Sequence, residues 1–416
     1  MKKTLCVVLV MCMLIAMIGC TNNENTEPVE SAKPAEPVES AAPAEPAESA
    51  EPAEPVESAE PVAFEGKIGI MCGTIATSEE QYRTAEAWKE KLGEDRVVIQ
   101  TYPDNFMKEQ ETTISNLLSL VSDPEIKVVA IVDGIPGTTA AIEKAKEKRP
   151  DVLYIVGSPN EDPSIVAPAA DVIIDMDWIS HADQMIDRAK ELGADTVVVY
   201  SFPRLMGYAR CIYQDAAARA RCEELGMEYV YVAVPDPQSD AGQAGLQQAC
   251  REDIPKQLEK YGPNTAFWDY NTYSSSAVIK TLVEAGEGIY INSSQSSPFQ
   301  GYPEAFNIDV PSDKRGDAEW MVEQLHNYCV ENGCSGRFSV RSLPTNCCCL
   351  NIAVQYGVRY LQGDVNGKFD ADMLKQCFSE VTDTPVDELS FNMFVNPDNG
   401  ESYDNYCMIL APWALL

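Results

Sequence analysis

Histidine is nearly absent from this chain: two in 416 residues, His181 and His326, both in stretches with helical patterning. There is no G-x-S-x-G elbow, no HExxH pair and no CxxC pair. The common nucleophile and zinc-hydrolase signatures are therefore missing. Basic residues are scarce, 31 Lys and Arg against 65 Asp and Glu, for a net charge of −34. That deficit argues against nucleic-acid binding, which needs basic patches to meet phosphate. It equally disfavours broad contact with anionic lipid headgroups. Two acidic pairs, Asp175 with Asp177 and Asp236 with Asp240, remain for acid–base work, but turn and cap roles explain them more simply. The chain is read as a non-enzyme with no cofactor and no metal site.

No apolar run is long enough to span a bilayer comfortably. The longest, residues 5–18, follows Lys2 and Lys3 and stops at Met17-Ile18-Gly19-Cys20. Two positive charges, a short apolar stretch and a small residue before cysteine have the form of an export signal. The ending resembles a bacterial lipobox, with Met17 where leucine is usual. By that resemblance Cys20 becomes the lipidated first residue after a signal peptide of residues 1–19. Residues 21–63 almost lack large apolar side chains and repeat Pro, Ala, Glu and Ser, so they bury too little surface to fold. Eleven Glu and one Lys stretch this tether further, to a reach on the order of 100 Å. From Phe64 onward the chain still carries −26, so the folded part is acidic in its own right.

Cysteine is not scarce. Eleven lie beyond residue 64, an odd number that outside the cell leaves at least one unpaired. His326, Cys329, Cys334 and Cys347 to Cys349 lie close in sequence without forming a recognisable zinc spacing. Buried free thiols in a protein that meets little oxidant are the preferred reading.

From residue 67 short apolar runs alternate with helical patterns, which implies βαβ units and a mainly parallel sheet flanked by helices. The stretch 171–181, DVIIDMDWISH, divides the series: a strand, a crossing at Asp175 to Asp177, then a helix that opens a second series. The expected architecture is α/β with two hinged lobes. Lobe 1 is expected at residues 64–176 plus about 309–389. Lobe 2 is expected at 177–308, with the last strands, 390–416, as a candidate return across the hinge. A cleft between lobes is a common ligand site. In such sheets ligands lie beyond the carboxyl ends of the strands. That rule nominates the loops at 72–74, 133–136 and 157–160, with Thr74, Asp133 and Ser158 as candidate ligand contacts. Each has a turn or cap role as its simpler explanation.

In the second series Arg204 ends a strand and is a candidate partner for a ligand carboxylate or phosphate, or one half of a structural salt bridge. Trp268 and Tyr270 are candidate stacking platforms or core residues, and Asp269 and Asn271 either bind ligand hydroxyls or cap the following helix. The polar loop 292–303, NSSQSSPFQGYP, offers Gln295 and Ser297.

The first strand KIGIM, the crossing and the second βα series together resemble the type I periplasmic binding superfamily, the receptors of ABC importers, which include sugar and purine-nucleoside receptors. More narrowly, SFPRLMGYAR, YGPNTAFWDYN and SSPFQGYPEAF resemble clostridial lipoproteins whose domain is labelled only as of unknown function. The resemblance implies a lipid-anchored receptor on the outer face of the cytoplasmic membrane. It would capture a small polar solute, a sugar, nucleoside or similar, for an ABC permease, and touch the membrane through its anchor alone. A sensory or adhesive lipoprotein using the same cleft is the alternative, and an extracytoplasmic hydrolase has less support. No sugar- or nucleoside-receptor binding motif is found to transfer.

Overall fold

The computed structural model describes residues 64–291 and 297–416. Its first series is β1 (Lys67–Cys72), α1 (Ile75–Leu92), β2 (Val97–Thr101), α2 (Gln110–Leu120), β3 (Ile126–Val132), α3 (Thr138–Lys148), β4 (Leu153–Gly157), α4 (Pro163–Ala169) and β5 (Val172–Met176). The second is α5 (Trp178–Glu191), β6 (Thr196–Ser201), α6 (Ala209–Glu224), β7 (Glu228–Ala233), α7 (Gly242–Tyr261), β8 (Thr265–Asp269), α8 (Thr272–Ala285), β9 (Ile289–Ile291), α9 (Tyr302–Phe306), α10 (Ala318–Glu331) and β10 (Ser339–Arg341). The chain closes with α11 (Thr345–Gln362), α12 (Ala371–Thr382), β11 (Phe391–Val395), β12 (Ser402–Ile409) and β13 (Trp413–Leu415).

Two sheets organise these elements. One has the order β11-β12-β5-β4-β3-β1-β2, the other β7-β6-β8-β9, and β10 pairs with β13 beside the second. All neighbours in the two larger sheets are parallel except β11 and β12. Strand periodicity explains the near-continuous apolar runs, because alternate side chains point to opposite faces and both faces are covered. In the first sheet Ile68, Ile70, Val128, Ala130, Leu153 and Ile155 pack under α1, α11 and α12. Met71, Val129, Ile131, Tyr154 and Val156 pack under α2, α3 and α4. The second sheet is buried the same way, by α7 to α10 on one face and by α5 and α6 on the other.

The lobe boundaries differ from the expectation late in the chain. Residues 309–340 were expected in lobe 1, but Met321, Leu325 and Cys329 of α10, with Phe338 and Val340, pack into the second lobe's core. The second crossing therefore falls at residues 341–345, after which α11 enters the first core. Nor do residues 390–416 return as a block. β11 and β12 extend the first sheet, and only β13 crosses to pair with β10. A helical period shows that a segment is a helix, but not which of two sheets it covers.

The crossings converge on Arg341, which is fully buried. Its Nη1 donates to Gln184 Oε1 of α5 at 3.0 Å and to the carbonyl of Ala411 in the third crossing, and its guanidinium lies 4.3 Å from the centre of the Trp413 ring. Trp413 Nε1 donates to the same Gln184 oxygen. Arg341 Nε and Nη2 have no partner among the described residues, and burial lowers the guanidinium pKa to about 9.

Candidate ligand cleft

In the first sheet the chain reverses its direction of travel between β1 and β3, which lie side by side although β2 separates them in sequence. A crevice opens beyond the carboxyl ends of strands at such a switch point. Here it holds a cavity of about 910 Å³, lined by both lobes.

The first lobe contributes Gly73 and Thr77 to Gln81 after β1, Tyr102 and Phe106 after β2, Asp133 after β3, Asn160 after β4, and Asn346 and Cys347 from the start of α11. Helix α1 starts at Ile75 with Thr74 as N-cap, but its backbone breaks at Ser78, with φ −154° and ψ 58°. The break turns Glu79, Glu80 and Gln81 toward the cavity. Gly73 permits it, since a Cβ there would come within 2.5 Å of Ser78 Cβ.

Asp133 has φ 66°, a left-handed backbone that a non-glycine residue adopts at a cost. Its carboxylate accepts from Gln81 Nε2 and Asn346 Nδ2, each at 2.5 Å, and its carbonyl accepts from Asn160 Nδ2 at 2.7 Å. Burial raises its pKa, against the pull of the Gln81 bond, the Arg210 charge and the Asn346 bond.

From the second lobe come Tyr273 at the start of α8, Ser297, Phe299 and Gln300 after β9, and Val310, Arg315 and Gly316 beyond α9. Ser297 is buried and donates its hydroxyl across the cleft to Glu80 Oε1. Glu80 keeps an edge on the cavity but is otherwise enclosed. Burial pushes its pKa up to about 7, with Glu79 adding to the rise and the Ser297 hydroxyl opposing it. Arg315 lies 4.0 Å from Glu79, and Gly316 packs on α1, where a Cβ would come within 3.0 Å of Arg83 Cβ.

Among the described residues, the other candidates lie off the cavity lining. Thr74 sits one residue from it and donates to Asp104 Oδ1 at 2.6 Å. Ser158, φ 49°, is buried and donates to Cys349 Sγ at 3.4 Å. Arg204 forms a two-point ion pair with Asp236, at 2.7 and 3.0 Å, on the surface of the second lobe. Trp268 is fully buried and stacks on Tyr270 with ring centroids 4.7 Å apart. Asp269 is also fully buried and accepts from Ser274, Ser275 and Tyr290 hydroxyls at 2.8–2.9 Å. Burial pushes its pKa up to about 6 despite them. Asn271 caps α8 by accepting from the Tyr273 N–H at 3.1 Å. Gln295 lies outside the described residues, as does Cys20.

Sequence reasoning missed Glu79, Glu80 and Gln81, although they follow the first strand in a polar run that could have been nominated with Thr74. It missed Tyr273, two residues beyond the DYN stretch, and Arg315, for which no periodic signal exists. It nominated Arg204 and not Arg210. Arg210 reaches toward the cleft, donating to Asn160 Oδ1 at 3.3 Å with its guanidinium 5.2 Å from the centre of the Trp178 ring.

Two α/β lobes, three crossings and a cavity at the carboxyl ends of both sheets define a type I periplasmic-binding-protein fold. Within that class the chain belongs to the family described as Protein of unknown function (DUF3798), whose model matches residues 66–339. Two uncharacterized proteins of Treponema pallidum (strain Nichols) are similar. One is 31% identical over 170 residues, which are 41% of this chain and 79% of that protein. The other is 34% identical over 137 residues, 33% of this chain and 62% of that protein. Among solved structures, a putative transcriptional regulator from Clostridium difficile 630 has a TM-score of 0.75 at 18% identity, covering 85% of this chain and all of that one. A sugar ABC transporter from Actinomyces odontolyticus ATCC 17982 has a TM-score of 0.51 at 13% identity, covering 72% and 84%. At these identities the likeness is one of fold.

Proposed function

We propose that this protein is a lipid-anchored, extracytoplasmic solute receptor that captures a small polar molecule between its lobes for an ABC importer. The observation that carries the reading is the cavity of about 910 Å³ walled by both lobes, with a hydrogen bond from Ser297 to Glu80 across it. A volume of that order suits a small organic ligand. A ligand that touches both walls stabilises the closed arrangement over the open one, and closure then presents a new surface to a membrane partner. The fold of the Actinomyces sugar ABC transporter supports this role. So do the signal-like segment ending at Cys20 and the tether after it.

The role named for the C. difficile protein, a putative transcriptional regulator, is disfavoured for this chain wherever it would need contact with nucleic acid. The folded part holds −26 of charge, the wrong sign for phosphate. Among the described residues no helix is long and apolar enough to cross a membrane; the attachment proposed is the lipid on Cys20.

Two measurements test the proposal. Metabolic labelling with a radioactive fatty acid should mark the wild-type chain and not Cys20→Ala; equal labelling contradicts the anchor. A thermal-shift screen of residues 64–416 against sugars, nucleosides, amino acids and small vitamins should find a stabilising ligand, whose effect Tyr273→Ala reduces. A ligand indifferent to Tyr273 contradicts the cleft assignment.

A further inference from the structure

The cleft walls hold more negative charge than the protein balances, which bears on what kind of solute fits; this inference rests on the cleft being a solute site. Three carboxylates line the cavity, Glu79, Glu80 and Asp133, against one lining cation, Arg315. Arg315 sits 4.0 Å from Glu79 with its side chain 55% exposed, so it belongs to the rim. Deeper in, the side-chain donors to Glu80 and Asp133 are neutral: the Ser297 hydroxyl for one, the Gln81 and Asn346 amides for the other. Among the described residues neither carboxylate has a Lys or Arg nitrogen within 4.0 Å. Arg210 stands outside the lining, and its one charge faces both Asp133 and the buried Asp175. Glu79 has a second cation in Arg83, 3.6 Å away, but Arg83 also pairs with Glu86 at 2.7 Å, so Glu80 and Asp133 are the lining carboxylates without a cation of their own.

A second observation is independent of charge. Gln81 is 6% exposed and lines the cavity. Its amide nitrogen donates to Asp133, which fixes the other end as an acceptor, and that Oε1 has no hydrogen-bond partner. A buried acceptor left unmatched costs free energy that a ligand donor recovers. The rings of Phe106, Tyr273 and Phe299 complete the lining, and aromatic faces attract cations.

We propose that the solute is a small organic cation, an amine or guanidinium. Its N–H groups would be received by Gln81 Oε1 and by the carboxylates of Glu80 and Asp133, and its carbon skeleton would lie against the rings. Charge-assisted donors suit such acceptors better than the hydroxyls of a neutral polyol.

Ligand-observed saturation-transfer NMR on residues 64–416 tests this with methylguanidinium and its uncharged isostere methylurea. Methylguanidinium should bind and methylurea should be about tenfold weaker or undetectable, the loss expected for one charge-assisted hydrogen bond. Glu80→Gln combined with Asp133→Asn should abolish the difference. Glu80→Gln alone serves as a second variant if the double one melts early, and should weaken methylguanidinium while leaving the melting temperature near wild type. Equal signals from the two probes, no signal from either, or a methylguanidinium signal unaltered in these variants overturns the proposal; the last means attraction to the acidic surface only. Ribose or uridine binding that Tyr273→Ala weakens, with no preference for methylguanidinium, overturns the cationic class and leaves the receptor reading standing. A cleft indifferent to all four probes, together with lobes that never change separation, overturns both.

Discussion

Glu80 is where closure and protonation meet. In the closed cleft its pKa lies at about 7, against 4.5 when water surrounds it. Between those values the closed form binds more protons, so closure of the empty protein is favoured fully below the lower one and loses that advantage as pH rises through the upper. Small-angle scattering of the ligand-free protein is expected to give a smaller radius of gyration at pH 5 than at pH 8, and Glu80→Gln should flatten the difference. A radius that shrinks with rising pH contradicts the assignment. The neighbouring Glu79 carboxylate pushes in the same direction, so its removal should lower the midpoint without abolishing it. The eleven described cysteines are another matter of single residues: all are free and buried. Burial raises thiol pKa values, as for Cys72, to about 12. Ellman's reagent should therefore label few thiols in native residues 64–416 and all eleven after denaturation without reductant. A denatured count near one would mean that disulfides form. At this scale the sequence was only partly readable. The place of Asp133 on the cavity was legible because the strand ends of a parallel sheet border its crevice. Arg204 was as plausible on paper, yet Asp236 sits close enough to satisfy it. Trp268 and Asp269 occupy the right strand end, but burial decides their role, and burial at a given residue is a property of three dimensions.

At the scale of elements, two local devices shape the cleft. The break in α1 at Ser78 depends on the absence of a side chain at Gly73. Gly73→Ala should force Ser78 away and cost about 1–3 kcal/mol by denaturant unfolding, with ligand affinity falling as Glu79 to Gln81 shift. Unchanged stability and affinity would show that the break has room to spare. Arg341 binds the second and third crossings to α5. Arg341→Ala should cost about 2–4 kcal/mol, since it leaves a cavity and an unmatched carbonyl. Arg341→Met should cost less, because it fills the space that alanine leaves empty, while both variants remove a buried charge that no carboxylate balances. Equal losses in the two variants would contradict this. The strands of the two larger sheets were legible from their apolar runs; β13, three residues long and paired with β10 outside them, was not. Helices α4 and α12 were not anticipated. The placement of α10 was misread, because the loop before it runs along the cleft against α1 and looks like a crossing.

For the whole molecule, the charge of −26 from Phe64 onward keeps the folded part away from phosphate-bearing partners and draws cations toward it. The two-lobed plan gives that attraction a place to act, a cavity walled by both lobes. Solute capture requires that the lobes separate and close on a dialysable molecule. Fluorophores on Asp372 of α12 and Glu259 of α7, both exposed and on different lobes, would follow that motion by single-molecule energy transfer. The free protein should show two interconverting separations and shift to one of them on adding the small-molecule fraction of a cell extract. A single separation, unmoved by that fraction, would contradict it.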